Sequence, residues 1–532
     1  MLTGEIALQA GLHPLRINYL AATDAAALSL EWQVPGAKMR PIPSAQFRIT
    51  RRGKSGDESG FDAAQKRKRP NILFIFTDDQ RFDTLSAMGN TEIATPNIDR
   101  LAKVGTMFTH AHIMGGSSAA VCRPSRAMLM TGRTLFHLEN DGARIPKEHI
   151  TMPECLTNAG YETCHVGKWH QDRKSHSRSF STGAKIFALK KGWYEACNGH
   201  WHIPVHDYEA QAKYARDGGY NDPEIVPYQK PYEKVKENGR HSTEVFSDAT
   251  IDFIQNRSTK KPFFIYLAHV APHDPRQYPA RFQKNYSADK VSLPDNFMPQ
   301  HPFDNGELRV RDEMLEDFPR RPHAVRQHIA DYYALIAMLD EQVGRVLDAL
   351  DKAGETENTI IVFAGDNGLA VGQHGLMGKQ NLYDHSVRVP LIMAGPGIPK
   401  GQKTDAFCYL IDIFPTLCEL TNTTIPSSVE GKSLIPVLQD PSSSVRDSLY
   451  FAYKGFQRAT RVGKYKLIEY AVKGNRTQQL FDLEADPLEM KNLVASPKHR
   501  SILVKLEQEL QRCRIELDDD KKWGQAFWGS AK

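Results

Sequence analysis

The sequence predicts an α/β fold in which a mostly parallel sheet lies between helices and is followed by a small antiparallel subdomain. Three observations support this prediction. Short apolar runs recur along the chain and end in polar residues, helical patterns lie between them, and shorter alternating runs begin after about residue 440. Strands that alternate with helices form parallel sheets covered on both faces, whereas closely spaced alternating strands form antiparallel sheets.

The N-terminal 70 residues differ from the rest of the chain. In residues 1–50, "HPLRINYL" and "ALSLEWQV" alternate roughly between apolar and polar residues, which is typical of half-buried strands. Because about three strands make a poor independent domain, we expect residues 1–50 to be a partial β-sandwich remnant. Residues 51–70, "RRGKSGDESGFDAAQKRKRP", are polar and charged and predict a linker, with "KRKR" interpreted as a solvated charge run.

Residues 71–440 carry the alternating pattern and are predicted to form the main domain. Four apolar runs have the length of buried strands: "NILFIF", "PFFIYLAHV", "TIIVFAG" and "VPLIMAG". Helical patterns occupy 95–105, 242–256 and 324–354, and the last places apolar residues at three- and four-residue steps. Residues 441–532 contain short hairpin-like runs and then "SILVKLEQELQRCRIEL", which predicts an α+β subdomain ending in an amphipathic helix.

Composition excludes several classes of function. The 532 residues carry a net charge of +5 spread along the chain, so we expect no nucleic-acid partner. No apolar run approaches the roughly 18 residues of a membrane span, and the first twenty residues lack a signal-peptide pattern. The seven cysteines include no CxxC pair, which argues against a zinc knuckle and a full disulfide framework.

Acidic and amide side chains follow two of the predicted strands directly. Asp78 and Asp79 come after "NILFIFT", and Asp366 and Asn367 come after "TIIVFAG", while His273 follows a third strand. Ligands bind outside the carboxyl ends of parallel strands, so these residues are expected to converge. Because the acids offer only oxygen, they predict a hard cation, Ca²⁺ or Mg²⁺ rather than zinc, although any single Asp could simply cap a turn.

Cys122 lies in "VCRPSRAMLMTGR", where Pro124 suits the first turn of a helix. This places Cys122 at a helix N-terminus, which favours an anion, with Arg126 one turn further along. From the residues alone, an activated thiolate and a structural thiol both remain open.

The stretch "CRPSRAMLMTGR" resembles the signature of the formylglycine-dependent sulfatases. Further landmarks follow in the order of that family: "FTDDQ", "GKWH", "APHDP", "GDNG" and "HGLMGK". The resemblance covers roughly residues 70 to 490 and includes a C-terminal motif, "LFDLEADPLEMKNL". It implies an alkaline-phosphatase-like sheet and a main domain that is a sulfatase catalytic domain.

The resemblance also implies a metal centre and a modified residue. Cys122 would be oxidised to formylglycine (3-oxoalanine) by a maturation enzyme, and its hydrated aldehyde would supply the nucleophilic oxygen. Asp78, Asp79, Asp366 and Asn367 would hold Ca²⁺, with residue 122 as a further ligand.

Roles for the basic residues come from the same resemblance. Arg126 would stabilise the hydrate and its charge, and Lys168 and Lys379 would bind sulfate oxygens. His273 would protonate the leaving oxygen, and His170 would help to eliminate sulfate and restore the aldehyde. Taken alone, Lys168 would more often be a surface lysine, and Lys379 would indicate little.

A sulfated sugar is the expected substrate. The N-terminal remnant resembles a protective-antigen-like, carbohydrate-associated β-sandwich, and residues 171–240 form an insertion rich in aromatic and basic residues. Arg276 and His374 are candidate substrate contacts, with a loop ion pair and a supporting role as the respective alternatives. Candidates for stacking on a sugar ring are Trp201, His202 and Tyr208.

Two other functions remain open at this point. One is a phosphodiesterase or phosphonate monoester hydrolase of the same superfamily, and the other is a carbohydrate-binding protein with an inactive sulfatase-like domain. By family resemblance the protein is expected to be exported to the periplasm or beyond, and the broken N-terminal module leads us to expect a missing upstream portion.

Overall fold

The computed structural model describes residues 31–32, 40–41, 69–187, 200, 240–521 and 523–529. Within the unit formed by residues 1–67, strand β1 (Glu31–Trp32) pairs antiparallel with β2 (Arg40–Pro41). The rest of the predicted sandwich remnant and almost all of the predicted linker lie outside the described residues. So do Trp201, His202 and Tyr208, the stacking candidates of the insertion.

The remaining elements belong to the unit formed by residues 68–532. The strands, in chain order, are β3 (Asn71–Thr77), β4 (Gly105–Phe108), β5 (Ala111–His112), β6 (Gly115–Gly116), β7 (Glu162–Lys168), β8 (Thr182–Phe187), β9 (Phe263–Ala268), β10 (Thr359–Gly365), β11 (Leu391–Ala394), β12 (Gln402–Thr404), β13 (Cys408–Tyr409), β14 (Ser448–Tyr453), β15 (Gln457–Val462), β16 (Tyr465–Val472) and β17 (Asn475–Asp482). The α-helices are α1 (Pro96–Val104), α2 (Cys122–Thr131), α3 (Met152–Asn158), α4 (Arg173–Ser179), α5 (Ser242–Asn256), α6 (Ala280–Gln283), α7 (Pro322–Lys352), α8 (Asp384–Val387), α9 (Ile413–Leu420), α10 (Ile435–Gln439), α11 (Arg500–Glu516) and α12 (Trp523–Trp528).

A central eight-stranded sheet has the order β12–β4–β11–β10–β3–β9–β7–β8. Strands β10, β3, β9 and β7 are neighbours and run parallel, whereas β11 is antiparallel to both β10 and β4. Every residue of β3 is buried, because both faces of the sheet are covered. The predicted fold class, a mostly parallel sheet between helices, is therefore confirmed.

Helices cover both faces of this sheet. On the face of Leu73 and Ile75, apolar side chains of α1, α5 and α7 form one core, and on the face of Phe74 and Phe76 those of α2 and α9 join a larger one. The long helix α7 begins with Pro322 at its first position, where a missing N–H costs nothing. None of the helices in the described part of the chain combines the length and apolar character needed to cross a bilayer.

The C-terminal sheet is antiparallel, as predicted, and has the order β17–β16–β15–β14–β6. Its last strand, β6, comes from the segment just before α2 and pairs parallel with β14. Gly115 has a φ of 100°, and a Cβ there would lie 2.1 Å from the oxygen of Ala452, so only glycine fits. Helix α11 packs Leu503 and Leu506 against the sheet. The C-terminal sheet thus braces the entry to the helix that carries Cys122.

Candidate functional site

Four adjacent parallel strands end at one edge of the central sheet, and the predicted site residues lie there. Carboxyl ends of parallel strands are the usual position of ligand sites in such sheets. The side chains are Asp366 and Asn367 after β10, Asp78 and Asp79 after β3, His273 after β9, and Lys168 as the last residue of β7.

Backbone hydrogen bonds fix the acidic residues relative to one another. The N–H of Asp366 donates to the oxygen of Thr77 at 3.0 Å, and the N–H of Asp79 donates to Oδ1 of Asp366 at 3.0 Å. Asp79 adopts a left-handed backbone with a φ of 63°, and the hydroxyl of Tyr332 donates to its carbonyl oxygen at 2.5 Å. Such a strained conformation persists only where the surroundings impose it, which is common at functional sites.

Cys122 is the first residue of α2 and is buried. Its Sγ lies 3.6 Å from Nζ of Lys168, and ligand atoms of Cys122, Asp78 and Asp366 all lie within 4.8 Å of one another. Burial raises the pKa of the Cys122 thiol to about 11, although Lys168 and Lys379 oppose the shift. With this pKa the thiol is protonated at neutral pH, so burial argues against the activated thiolate, one of the two alternatives that the sequence left open.

Three buried cations surround the acidic residues. Arg126 donates from Nε to Oδ2 of Asp366 at 2.8 Å, and its guanidinium lies over the ring of Phe76. Lys168 pairs with Asp78, and Nζ of Lys379 lies 2.5 Å from Oδ1 of Asp79. Burial acts to lower the pKa of both lysines, but the facing carboxylates outweigh it and raise both values, so both lysines stay charged.

The carboxyl groups show the same competition. Burial acts to raise the pKa of Asp78, but Lys168 and Arg126 hold it well below its usual range. Burial and the charge of Asp78 together raise the pKa of Asp366 to about 7. Two carboxylates this close repel each other, and a bound cation would relieve the repulsion.

Several oxygen atoms of this cluster are buried without a hydrogen-bond partner among the described residues. They are Oδ1 of Asp78, Oδ2 of Asp79 and Oδ1 of Asn367. Buried polar atoms are nearly always paired, so unpaired ones indicate a missing ligand. An all-oxygen donor set is what Ca²⁺ or Mg²⁺ requires, so the residues present fit a hard divalent cation.

A cavity of about 270 Å³ opens over the cluster. It brings together Cys122, Lys168, His170, His273 and Lys379 from four different segments of the chain. The remaining lining residues are Ala119, Ala120, Val270, Val310, Arg311, Asp312 and Gln380. Sequence reasoning missed Arg311, Asp312 and Gln380, because charged and amide residues in a polar stretch look like ordinary solvated groups.

The two cavity histidines differ in environment. Nδ1 of His273 donates to the backbone oxygen of Asp274 at 2.7 Å, which leaves Nε2 on the side of Asp79, 3.7 Å from its Oδ2. His170 is partly buried and has a left-handed backbone with a φ of 82°. Burial, reinforced by Lys168 and Arg126, holds its pKa well below the usual value, so His170 is neutral at pH 7.

Two predicted substrate contacts are not among the residues that line the cavity. Nη1 of Arg276 lies 2.7 Å from Nδ1 of His328 on α7, and its guanidinium faces the ring of Tyr332. The ring of His374 stacks on Tyr383 with centroids 3.9 Å apart. Both residues lie within a few positions of His273 or Lys379 in the sequence, and their role as substrate contacts stays a prediction.

Comparison with known proteins identifies the family. The sulfatase family model matches residues 70–423, and the model described as N-sulphoglucosamine sulphohydrolase, C-terminal, matches residues 372–516. An N-acetylglucosamine-6-O-sulfatase of Bacteroides thetaiotaomicron is 27% identical over 88% of this chain and 91% of its own. An ulvan-active sulfatase of Formosa agariphila is 30% identical over 85% of this chain and 83% of its own.

A solved structure has a similar fold. It is a complex of a protein with its substrate D-glucosamine-2-N,6-O-disulfate, 25% identical in sequence, with a TM-score of 0.67 over 85% of this chain and 99% of that one. The first family model covers more than half of the chain and spans the whole strand-end cluster. The chain belongs to the sulfatase family and is a sulfuric ester hydrolase.

Proposed function

We propose that this protein hydrolyses a sulfate ester of a carbohydrate, with residue 122 as formylglycine and with Ca²⁺ bound beside it. The observation that carries the proposal is the position of Cys122, which faces the cavity between two charged lysines and the unpaired oxygens of the acidic cluster. The names of the two relatives above, an N-acetylglucosamine sulfatase and an ulvan-active sulfatase, support a sugar as the substrate.

The proposed hydrolysis requires two groups that the unmodified chain does not contain, formylglycine and a divalent cation. Formylglycine at position 122, made from Cys122 by a maturation enzyme, supplies a hydrated aldehyde whose hydroxyl is the nucleophile. Ca²⁺, held by Asp78, Asp79, Asp366 and Asn367 together with residue 122, supplies positive charge next to the reacting ester. The unpaired buried oxygens support this ligand set, with Mg²⁺ as the less favoured ion because it demands stricter octahedral geometry.

The chain's own cations orient and stabilise the sulfate group. Lys168 and Lys379 line the cavity, and each ammonium group has hydrogen atoms to spare beyond its bond to Asp78 or Asp79. We assign them to the sulfate oxygens. Arg126 is buried beneath, where it holds Asp366 and balances the charge at position 122. Fixed charges in a site shielded from water stabilise the developing negative charge strongly.

The two histidines are suited to opposite proton transfers. The backbone oxygen of Asp274 fixes the proton on Nδ1 of His273, so a second proton on Nε2 can be given to the leaving sugar oxygen. His170 is held neutral, and its Nδ1 is buried without a hydrogen-bond partner among the described residues. It can therefore accept a proton when sulfate is released from residue 122.

Peptide mass spectrometry tests the modification. The protein is expressed with and without a formylglycine-generating enzyme, and the peptide that spans residues 116–133 is weighed. We expect the mass of formylglycine at position 122 together with sulfatase activity. A peptide that retains an unmodified cysteine in a fully active preparation would refute the mechanism, and sugar binding without turnover would identify an inactive, carbohydrate-binding protein.

Paired substrates test the reaction class. Turnover of an aryl sulfate is compared with that of the matching aryl phosphodiester, followed by a panel of sulfated mono- and oligosaccharides. We expect the sulfate to react faster and at least one sulfated sugar to be desulfated. Faster turnover of the phosphodiester would favour a phosphodiesterase or phosphonate monoester hydrolase of the same superfamily.

We also propose that the protein is exported, as its resemblance to exported sulfatases implies. Cell fractionation of the native source checks this, with activity expected in the periplasmic or extracellular fraction and not in the cytosol.

A further inference from the structure

The loop that carries Lys379 has no regular secondary structure, yet its lysine must face both Asp79 and the cavity. A second loop holds it in place. Glu313, in the short 3₁₀ turn Glu313–Leu315, is buried, and its carboxylate accepts two backbone hydrogen bonds. Oε2 accepts from the N–H of Met377 at 2.9 Å, and Oε1 accepts from the N–H of Gly378 at 2.9 Å.

Arg320 makes further contacts with the same loop. Its Nη2 lies 2.5 Å from Oε2 of Glu313, and its Nε donates to the carbonyl oxygen of Gly375 at 3.1 Å. The guanidinium is fully buried and lies over the ring of Phe318. Glu313 and Arg320 therefore bind the loop backbone at three residues just before Lys379, namely Gly375, Met377 and Gly378.

The side chains around Gly378 pack closely against the loop backbone. A Cβ on Gly378 would lie 2.3 Å from Oε1 of Gln380 and 2.9 Å from Oε1 of Glu313, so any larger residue at 378 would displace these two side chains. On the other side of Gly378, Oε1 of Gln380 accepts from the N–H of Lys379 at 3.0 Å, and its Nε2 donates to Oδ2 of Asp312 at 2.6 Å. The peptide of Lys379 is thus fixed on both sides.

We propose that Glu313 and Arg320 are positioning residues that aim the ammonium group of Lys379 at the reacting sulfate. The inference rests on the proposed function in one respect, the assignment of Lys379 to sulfate binding. A buried ion pair is weak grounds for stability, because desolvation offsets most of its attraction. Here the carboxylate is used to hold two backbone N–H groups of a catalytic loop, which a purely apolar core could not do.

The test compares Glu313→Gln with the unchanged enzyme in its mature, Ca²⁺-loaded form. Glutamine keeps one acceptor oxygen but sets an NH₂ group against a loop N–H and Arg320. We expect kcat/KM for an aryl sulfate to fall by about 10- to 100-fold, because small displacements of a catalytic group have effects of that size. The inhibition constant of inorganic sulfate should rise in parallel, since the free anion uses the same lysine.

A matched control separates positioning from folding. Asp519→Asn breaks another buried arginine–carboxylate pair, that of Arg458 and Asp519, whose hydrogen bonds in the described part of the chain go to residues outside the Lys379 loop. It should lower thermal stability but leave kcat/KM per folded molecule and the inhibition by sulfate unchanged. If Glu313→Gln does not fold, Arg320→Lys keeps the charge but loses the Nε hydrogen bond to the oxygen of Gly375, and should show a smaller effect in the same direction.

Each outcome has one meaning. If Glu313→Gln and Arg320→Lys lower only thermal stability, as Asp519→Asn does, the proposal is overturned and the pair is structural. If Lys379→Ala itself leaves turnover and sulfate inhibition unchanged, the role assigned to Lys379 under the proposed function is wrong instead. A loss with Lys379→Ala that the Glu313 and Arg320 variants reproduce in part supports the proposal.

Discussion

Two buried ionic clusters of the same protein differ in how completely their polar atoms are paired. We call the first the cavity cluster, which comprises Asp78, Asp79, Asn367, Lys168 and Lys379. The second, the C-terminal cluster, comprises Arg458, Asp519, Tyr450 and Trp528, of which the first three are fully buried. Both contain carboxylates and cations away from water.

The C-terminal cluster is complete. Oδ2 of Asp519 accepts from Nε of Arg458, from the hydroxyl of Tyr450 at 2.5 Å and from Nε1 of Trp528 at 3.2 Å, while Oδ1 accepts from Nη2 of Arg458 at 2.9 Å. The cavity cluster leaves three oxygens without hydrogen-bond partners among the described residues. The difference teaches that pairing, and not burial or charge, distinguishes a site prepared for a ligand from one that only holds the fold.

The largest expected effect is the loss of activity on substitution of Cys122, which lies beside the cavity cluster. Cys122→Ala removes the proposed nucleophile, so kcat/KM for an aryl sulfate should fall by roughly 10³-fold or more. Because the loss of the thiol removes a single weak contact, that with Nζ of Lys168, the thermal midpoint should stay close to that of the unchanged protein. Steady-state kinetics and circular dichroism measure both quantities, and a variant with substantial residual turnover would contradict the assignment.

The complementary change is made in the C-terminal cluster. Asp519→Asn leaves the guanidinium of Arg458 buried without its counter-charge, which should lower the free energy of unfolding by about 3–5 kcal/mol. Denaturant titration measures this loss. Activity per folded molecule should not change, and a large loss of kcat/KM at full folding would show that the two clusters are not independent.

The fold and most of the acidic site follow from the sequence because their signals are local. Apolar runs that end in "TDD" and "GDN" give both the strands and the position of the oxygen ligands at their ends. Lys168 and Lys379 were found only through a family motif, since a lone lysine carries no distinguishing pattern. Glu313, Tyr332 and Asp519 were missed because their roles depend on partners far away in the chain.

Arg276 and His374 stay predictions as substrate contacts, and they differ from these residues in how their side chains are oriented. Each lies within a few residues of a proposed catalytic group, yet each side chain contacts another element, His328 on α7 and Tyr383 respectively. Sequence proximity sets where a backbone passes but not where a loop side chain points. Such orientations depend on tertiary packing, which a single sequence does not encode in any short pattern.

Ca²⁺ should stabilise the protein through the cavity cluster alone. At a free concentration about 100 times the Kd, binding adds about 2.7 kcal/mol to the free energy of unfolding. Thermal unfolding with Ca²⁺ and with a chelator measures the difference, with Mg²⁺ expected to give less. Asn367→Ala should lose most of the increment and Asp519→Asn should keep it, so an increment that survives Asn367→Ala would place the ion elsewhere.

The smallest effects come from a matched pair of buried tyrosines, one beside each cluster. The hydroxyl of Tyr332 donates to the oxygen of Asp79 and accepts from the N–H of Arg81 at 3.0 Å, and that of Tyr450 donates to Asp519. Tyr332→Phe removes two neutral hydrogen bonds and Tyr450→Phe removes one to a carboxylate, so each should lower the free energy of unfolding by about 2 kcal/mol. Only Tyr332 holds the left-handed backbone of a proposed metal ligand, so only Tyr332→Phe should also weaken the stabilisation by Ca²⁺. Calcium titrations followed by thermal unfolding compare the two variants. An equal response of both to Ca²⁺ would mean that the backbone of Asp79 keeps its position without the tyrosine, because the neighbouring hydrogen bond to Asp366 is sufficient.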